Sequence, residues 1–490
     1  MGQVLVGWCI LVLAVTITPA VAASPVAAQN APAPAAVGSD TVLTWGENFF
    51  GQLGDGTTSQ RSTPIAVDLP AGTMITAVAG SDANSFALTS ASTVLAWGSN
   101  SSGELGDGTD TDSTTPVAVK LPPGTTVTAI AAGTFHTLAL SSAGTVLAWG
   151  GNFSGELGDG TNTDRSEPVP VSLPPGTTIT AIAGGRGHSL ALTSAGTVLA
   201  WGNNSSGQLG DGTNTNSSTP VNVNLPAGTT ATAITGGGRH SMALTSAGTV
   251  LAWGNNSSGQ LGDGTNTNSS TPVNVNLPAG TTITAITAHD GSHSLAVTSI
   301  GTVLAWGNNS SGELGDGSTT DSSIPVNVNL PAGTTITAID NGDDHSMALV
   351  APPTSTTALQ FTPANPRPDQ DIALTATVTC NVDTPTGTIT FRSNSTALAT
   401  VPLTASSTAT HTTTLPPGTH HLTAHYTSTN TCPNSQSLPT TITITPPPDE
   451  PDLPITGPNL TTTTGTAALC ILAGVILSYT ARRRPPHRAT

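Results

Sequence analysis

This chain is short of charge. Of its 490 residues 28 are acidic and 11 basic, 8% in all, for a formal balance of −17, against roughly 25% charged in an average globular protein. Eleven Lys and Arg scattered over that length leave no electrostatic footprint for a phosphate backbone, which excludes nucleic acid as a partner. Four cysteines are too few for a disulfide-dense scaffold. Aromatic residues make up 3%, and seven of these rings are tryptophans. The chain has no G-x-S-x-G elbow, no H-E-x-x-H pair and no Walker A loop, so the familiar catalytic motifs are missing. What is plentiful is Thr, Ser, Ala and Val, with 53 glycines and 38 prolines. That composition points to β-structure with many turns, and the length to more than one folded unit.

The two ends read as addresses. Residues 1–23 run from the apolar stretch Val4 to Ile17 into Pro19-Ala20-Val21-Ala22-Ala23, the pattern of a secretory signal peptide, although no Lys or Arg precedes the apolar run. Residues 24–38, rich in Ala and Pro, are expected to be a flexible leader. At the other end, 446–452 (PPPDEPD) is a stiff polar spacer. Leu453-Pro454-Ile455-Thr456-Gly457, an apolar span at 467–480 and Arg482-Arg483-Arg484 with Arg488 follow. Residues 453–490 resemble the LPxTG cell-wall sorting signal of Gram-positive surface proteins. The resemblance implies that a C-terminal transmembrane helix halts export and that the arginines hold the tail inside. A sortase then cuts between Thr456 and Gly457 and joins Thr456 to a cell-wall precursor, so the membrane is a partner only before sorting. Both trims remove four arginines and no acid, leaving 28 acidic and 7 basic residues, or −21. The cysteines that remain are Cys380 and Cys432, and an exported location permits a disulfide between them.

Between the ends lies a repeat. Trp45, Trp97, Trp149, Trp201, Trp253 and Trp306 recur every 52 or 53 residues, a period that calls for a repeat architecture. Four short β-runs fit in each unit. In the fourth unit they are Val221 to Leu225, Thr230 to Ile234, Ser241 to Thr245 and Val250 to Trp253, with Ser246-Ala247-Gly248 as a hairpin connection. Four antiparallel strands per unit is the make-up of a propeller blade. The chain enters with a lone W-strand (Val42 to Trp45) and leaves after His345 to Leu349, so the N-terminal strand is expected to close the ring by completing the last blade. Residues 39–351 are thus predicted to be a six-bladed β-propeller, seven blades being the less favoured count. The motifs W-G-x-N-x-x-G-Q-L-G-x-G and G-x-x-H-[ST]-x-A-L resemble the regulator of chromosome condensation repeat family of propellers. Known members commonly have seven blades, and the first unit here carries Asn84 where the others have histidine. Secreted bacterial members include a β-lactamase-inhibiting propeller, so the resemblance implies a protein-binding surface. The founding member's nucleotide exchange on a nuclear GTPase is not expected of an exported, acidic chain.

The recurring polar residues have mainly structural readings. His136, His188, His240, His293 and His345 fall one per blade, which spreads them around the ring rather than gathering them as metal ligands. Each is expected to hold neighbouring backbone. Asp55, Asp107, Asp159, Asp211, Asp263 and Asp316 sit in G-D-G-[TS], where a carboxylate caps its own turn. Asp107, Asp110 and Asp112 leave calcium as the one cofactor to consider, without EF-hand spacing; no other cofactor is implied. Residues 201–235 and 253–287 differ only at Ala231 versus Ile283. Such sameness suits a scaffold or a multivalent surface more than a catalytic centre. Phe49, Phe50 and Phe153, with Phe135, break the pattern at loop positions and are candidate contacts. Together with 288–293 and 341–344 they discriminate between readings. Clustering on one face indicates a specific site, and scatter indicates a scaffold.

Residues 354–445 leave the repeat. Short strands at Leu374 to Val378, Thr388 to Phe391, Leu422 to Tyr426 and Thr440 to Ile444, with turns between, suggest a sandwich. The pieces LTATVT, PTGTITF and LPPGTHHLTAHY resemble bacterial Ig-like domains, which implies a stalk. His420, His421 and His425 have no carboxylate or thiolate partner among them, so an exposed strand is expected there rather than a metal site. The chain is accordingly expected to be all-β, a propeller followed by an Ig-like β-sandwich and a C-terminal transmembrane helix. Its expected role is that of a sortase-anchored, non-catalytic binding or adhesion module for an unknown protein or glycan. A secreted enzyme or enzyme inhibitor acting through one propeller face, or a purely structural wall component, stays open.

Overall fold

The computed structural model describes residues 41–446 apart from 289–290 and 332–333. The expected signal peptide, leader, sorting pentapeptide and membrane span lie outside the described residues, as does nearly all of the spacer. Among the described residues all the regular elements are strands, and no helix is long and apolar enough to cross a membrane.

Five complete blades follow one another, each a four-stranded antiparallel sheet paired in chain order, at 75–118, 127–170, 179–222, 231–274 and 283–327. First strands touch first strands of neighbouring blades, which sets them around the axis and the fourth strands at the rim. The second and third strands, such as His188–Thr193 and Val198–Gly202, are buried along their whole length. A blade lies between two others, so both faces of HSLALT and VLAWG are apolar or small, unlike a sheet with one wet face. Clusters such as Leu190, Val198, Leu209, Ile234, Leu251 and Trp253 bridge consecutive blades. The fourth strand of the third blade is Ser217–Asn222, not the expected 221–225. Pro220 sits inside it, and an outermost strand tolerates a proline because its free edge needs no N–H.

The expected closure is not formed. Leu43–Gly46 pairs with Arg61–Ala66, and Ile336–Asn341 pairs with Ser346–Val350, as two separate two-stranded sheets. Each is half a blade. The N-terminal pair has only the third and fourth strands, the C-terminal pair only the first and second. No pairing joins Ser346–Val350 to Leu43–Gly46, and the former is largely exposed where its counterparts are buried.

Residues 355–444 form two further sheets. One holds Ser355–Thr362, Ile372–Cys380 and Thr408–Thr413, and the other is built around Gly387–Ser393 and Gly418–Ser428. Alternating inward residues, among them Leu374, Val378, Ile389, Phe391, Leu422 and Tyr426, fill the space between them. Cys380 and Cys432 are joined by a disulfide. His420 points inward, bonding Ser393 Oγ through Nδ1 at 2.9 Å and the Pro416 carbonyl through Nε2 at 2.8 Å. His421 and His425 pair with Thr441 and Thr423 hydroxyls, so the three rings are engaged separately.

Candidate binding face

Most of the repeated polar residues serve contacts inside or between blades. Trp97, Trp149, Trp201, Trp253 and Trp306 each reach back to the preceding unit. There the indole Nε1 donates to the carbonyl of Gln52, Glu104, Glu156, Gln208 or Gln260 at 2.7–2.9 Å. The same carbonyl accepts a hydroxyl from the residue after the histidine, for example Ser189 Oγ on Glu156 O at 2.8 Å. The histidines form a second belt. His136 meets Ser189, His188 meets Ser241, His240 meets Ser294 and His293 meets Ser346, all through Nε2 at 2.8–2.9 Å. The partner is thus a hydroxyl of the next blade rather than the expected backbone group. Burial holds these rings neutral, with pKa values lowered to about 4 for His136 and His293 and about 3 for His188 and His240. Asn84, which replaces the histidine in the first unit, bonds Ser81 Oγ and the Ser99 carbonyl of its own blade.

The aspartates act locally. Asp211 Oδ1 accepts from the Thr213 N–H and hydroxyl at 2.9 Å. Asp107 does the same with Thr109, while Asp112 accepts the Asn100 N–H at 2.7 Å. No group of three or more His, Cys, Asp or Glu suited to a metal ion is assembled among the described residues.

The aromatic and cationic departures from the repeat lie at one end of the blades, whereas Ile300 departs at the other. In an antiparallel sheet the connector from first to second strand and the loop from third to fourth strand leave the same edge. Phe135 lies in that connector and Phe153 in that loop of the second blade. Phe49 and Phe50 lie in the corresponding loop of the N-terminal pair, and Ala288, Gly291 and Ser292 and residues 342–344 belong to connectors on the same side. All four rings are exposed, from 44% for Phe50 to 91% for Phe153. The aromatic departures thus cluster on one face.

The connector combines a constant backbone with a changing side chain. The carbonyls of Ala83, Phe135, Gly187, Arg239 and Ser292 each accept an N–H from the residue after the third strand, at 2.7–3.0 Å. Their side chains owe nothing to that bond, so substitution is free there. Arg186 and Arg239, which the sequence reading passed over, occupy this rim in adjacent blades and are exposed. The other three cations of the propeller, Arg61, Lys120 and Arg165, are tied to Asp55, Glu167 and Asp159. Arg186 and Arg239 have no such ion pair among the described residues. Comparing the two residues before the histidine position unit by unit (Asp82-Ala83, Thr134-Phe135, Arg186-Gly187, Gly238-Arg239, Gly291-Ser292, Asp343-Asp344) was the signal that could have found them. One face therefore carries four exposed aromatic rings and two uncommitted guanidinium groups, the residue types that concentrate binding energy at protein interfaces.

A family model described as an RCC1-like domain matches residues 22–348. The chain belongs to the RCC1-like family. A second model, a bacterial Ig-like domain of group 3, matches residues 359–445. The Arabidopsis thaliana ultraviolet-B receptor UVR8 is 34% identical over 284 residues, covering 58% of this chain and 64% of the receptor. The mouse E3 ubiquitin-protein ligase HERC2 is 33% identical over 313 residues, 63% of this chain but 6% of the ligase. This chain therefore spans less than two thirds of either relative. Among solved structures, human WBSCR16 is similar with a TM-score of 0.57 at 26% identity, covering 63% of this chain and 82% of that one. Yeast RCC1 (Prp20), solved bound to Kap60, gives a TM-score of 0.57 at 25% identity, covering 69% and 83%. Its RCC1-like relatives thus include a receptor and a propeller solved with a protein partner, which act as binding or regulatory modules.

Proposed function

We propose that this RCC1-like propeller is a non-catalytic binding module of an exported, wall-anchored surface protein. It holds a protein or glycan bearing acidic groups on the loop face that carries Phe49, Phe50, Phe135, Phe153, Arg186 and Arg239. The observation that carries the reading is the constant connector backbone under freely changing, exposed side chains. A scaffold alone gives no reason for aromatic and cationic departures to gather on one side. Aromatic rings contribute apolar contact area and the arginines charge selectivity, while net acidity elsewhere disfavours acidic partners at other surfaces.

The Ig-like unit serves as a stalk in this reading. The signal peptide and the LPxTG-type tail supply the address, through sortase transfer of Thr456 to a cell-wall precursor. Two experiments test the two halves separately. Capture of surface fractions by the chain should fall at least tenfold in Phe135→Ser/Phe153→Ser and in Arg186→Glu/Arg239→Glu, and stay unchanged in Ile300→Ser on the opposite face. Equal capture by all of them would assign binding elsewhere. In the producing cell, Thr456→Ala should release the protein from the wall fraction, and unchanged attachment would refute the anchoring.

A further inference from the structure

The two half-blades are complementary in every contact that joins complete blades. At each internal boundary a tryptophan fills a socket on the unit before it. Trp306, for example, packs with Met242, Val250 and Val275, its indole close against Gly262, where a Cβ would come within 2.8 Å of Nε1. The corresponding socket after the fifth blade is open. Leu295, Val303, Gly315, Val328, Leu330 and Ile339 line a cavity of about 370 Å³. A Cβ on Gly315 would meet only Val328. Glu313 O accepts Ser346 Oγ at 2.7 Å but no indole, unlike its five counterparts.

The matching plug is Trp45. It is half-buried, whereas the other five repeat tryptophans are fully buried. Three more contacts are left over in the same pairing of ends. Gly259 packs on Ser323 of the following fourth strand, where a Cβ would lie 2.5 Å from Cα, whereas the equivalent Gly312 meets no such strand. The residue in register to fill that place is Ser62. The histidine belt ends at His345 without a serine among the described residues, and Ser85, which bonds Gln52 O at 2.9 Å, receives no histidine. Ser346–Val350 presents an unpaired edge, a ready template for another strand.

Within one chain these ends do not pair. The N-terminal pair is fixed to the first blade, with Gly51 against Thr114 and Gly54 against Trp97. The C-terminal pair is fixed to the fifth blade through His293 and Ser346. We infer that the half-blades complete each other between copies. The Leu43–Gly46 and Arg61–Ala66 pair of one molecule docks on the Ile336–Asn341 and Ser346–Val350 pair of the next, with Trp45 in the Gly315 socket. The contact is heterologous, so it repeats head to tail into rings or filaments and multiplies the loop face along the assembly. It stands independently of what that face binds.

The register is fixed by analogy. Ala87 lies opposite Leu95 in the first blade, so Ala348 of one copy should lie opposite Leu43 of another. Full-length chain carrying Leu43→Cys is mixed with differently tagged chain carrying Ala348→Cys, both also carrying Cys9→Ser and Cys470→Ser so that the other cysteines are the bridged Cys380 and Cys432, and a short bis-maleimide is added. A cross-linked heterodimer is expected, absent when Ile300→Cys replaces Ala348→Cys or when the Cys9→Ser/Cys470→Ser parent is used, and reduced at least tenfold by adding Trp45→Ala. No heterodimer, or cross-linking only within single chains of Leu43→Cys/Ala348→Cys, would overturn the inference. Sedimentation of the unsubstituted chain needs no substitution to fold. A mass that grows with concentration in steps of one chain supports the assembly, and a one-chain mass throughout refutes it.

Discussion

His188 Nε2 meets Ser241 Oγ at 2.9 Å across the boundary between the third and fourth blades, with both residues buried. A ring in that position stays neutral because protonation would place a charge away from water. The folded pKa, about 3, lies below the ordinary 6.5, so the unfolded chain binds the proton more readily. Stability from this source is full above pH 6.5 and is lost as pH falls towards the folded value. The slope is up to about 1.4 kcal/mol per pH unit for each such histidine. Four of them act together, so the melting temperature should drop steeply between pH 6.5 and pH 4.5. His188→Asn, which copies the residue the first unit uses at Asn84, should flatten that slope by about a quarter. An unchanged slope in thermal melts across this range would show that the belt does not govern acid sensitivity.

Gly158 and Gly176 make a matched pair of glycines. Both have positive φ, +65° and +76°. A Cβ on Gly158 would lie 2.8 Å from Trp201 Nε1, whereas one on Gly176 would meet nothing within 4 Å. Gly176→Ala should therefore cost only the left-handed backbone penalty, about 1 kcal/mol. Gly158→Ala adds displacement of a buried indole and should cost about 3 kcal/mol. Denaturant unfolding of the two variants separates the terms, and equal losses would mean that the tryptophan moves without resistance.

The period, the strand count per unit and the buried HSLALT and VLAWG strands were legible in the sequence because apolar alternation and spacing are local properties. The four-strand reading of the Ig-like unit found Thr440–Ile444 but passed over Ser355–Thr362, Thr396–Pro402 and Thr408–Thr413, whose threonines give little apolar contrast. Contacts between units were less legible. That His188 should choose Ser241 depends on how two blades stack, a relationship 53 residues apart that no window of sequence displays. Ring closure failed for the same reason. Strand arithmetic shows that two halves sum to one blade, but whether they reach each other depends on the rotation from blade to blade. Of the loop face, Phe49, Phe50 and Phe153 stood out by composition. Arg186 and Arg239 became visible only when the connector that holds them proved constant in backbone and the other cations proved paired.

Asn204 is the staple of its loop. Its Nδ2 donates to the carbonyls of Thr213 and Thr215, both at 3.1 Å, and its Oδ1 accepts the Leu209 N–H at 2.9 Å. The side chain is fully buried, so Asn204→Ala leaves two carbonyls and one amide without their partner. A loss of about 3 kcal/mol is expected. Amide exchange should speed up most at Leu209 if the loop opens locally. Protection at Leu209 equal to that of the native chain would refute the staple.

Glu104 and Glu156 occupy positions where other units have Gln52, Gln208 and Gln260. Burial raises both carboxyl pKa values above the ordinary range, although each accepts an N–H, from Ser102 at 2.8 Å and from Ser154 at 2.7 Å. The folded chain thus takes up a proton more readily than the unfolded one. The destabilisation is full at neutral pH and disappears as pH falls through the folded pKa towards 4.5, opposite in sign to the histidine effect. Gln208 shows how an amide settles the same place, its Oε1 accepting Ser206 N–H at 2.9 Å and its Nε2 donating to Asn203 Oδ1 at 2.7 Å. Glu104→Gln should therefore stabilise the protein at pH 7 by roughly 1 kcal/mol. Adding Ser99→Asn, which supplies the counterpart of Asn203, should increase the gain. At pH 4 the advantage should shrink, because the native carboxyl is then largely protonated. A Glu104→Gln variant no more stable than the native chain at pH 7 would mean that the buried carboxylate is compensated by contacts the amide cannot replace.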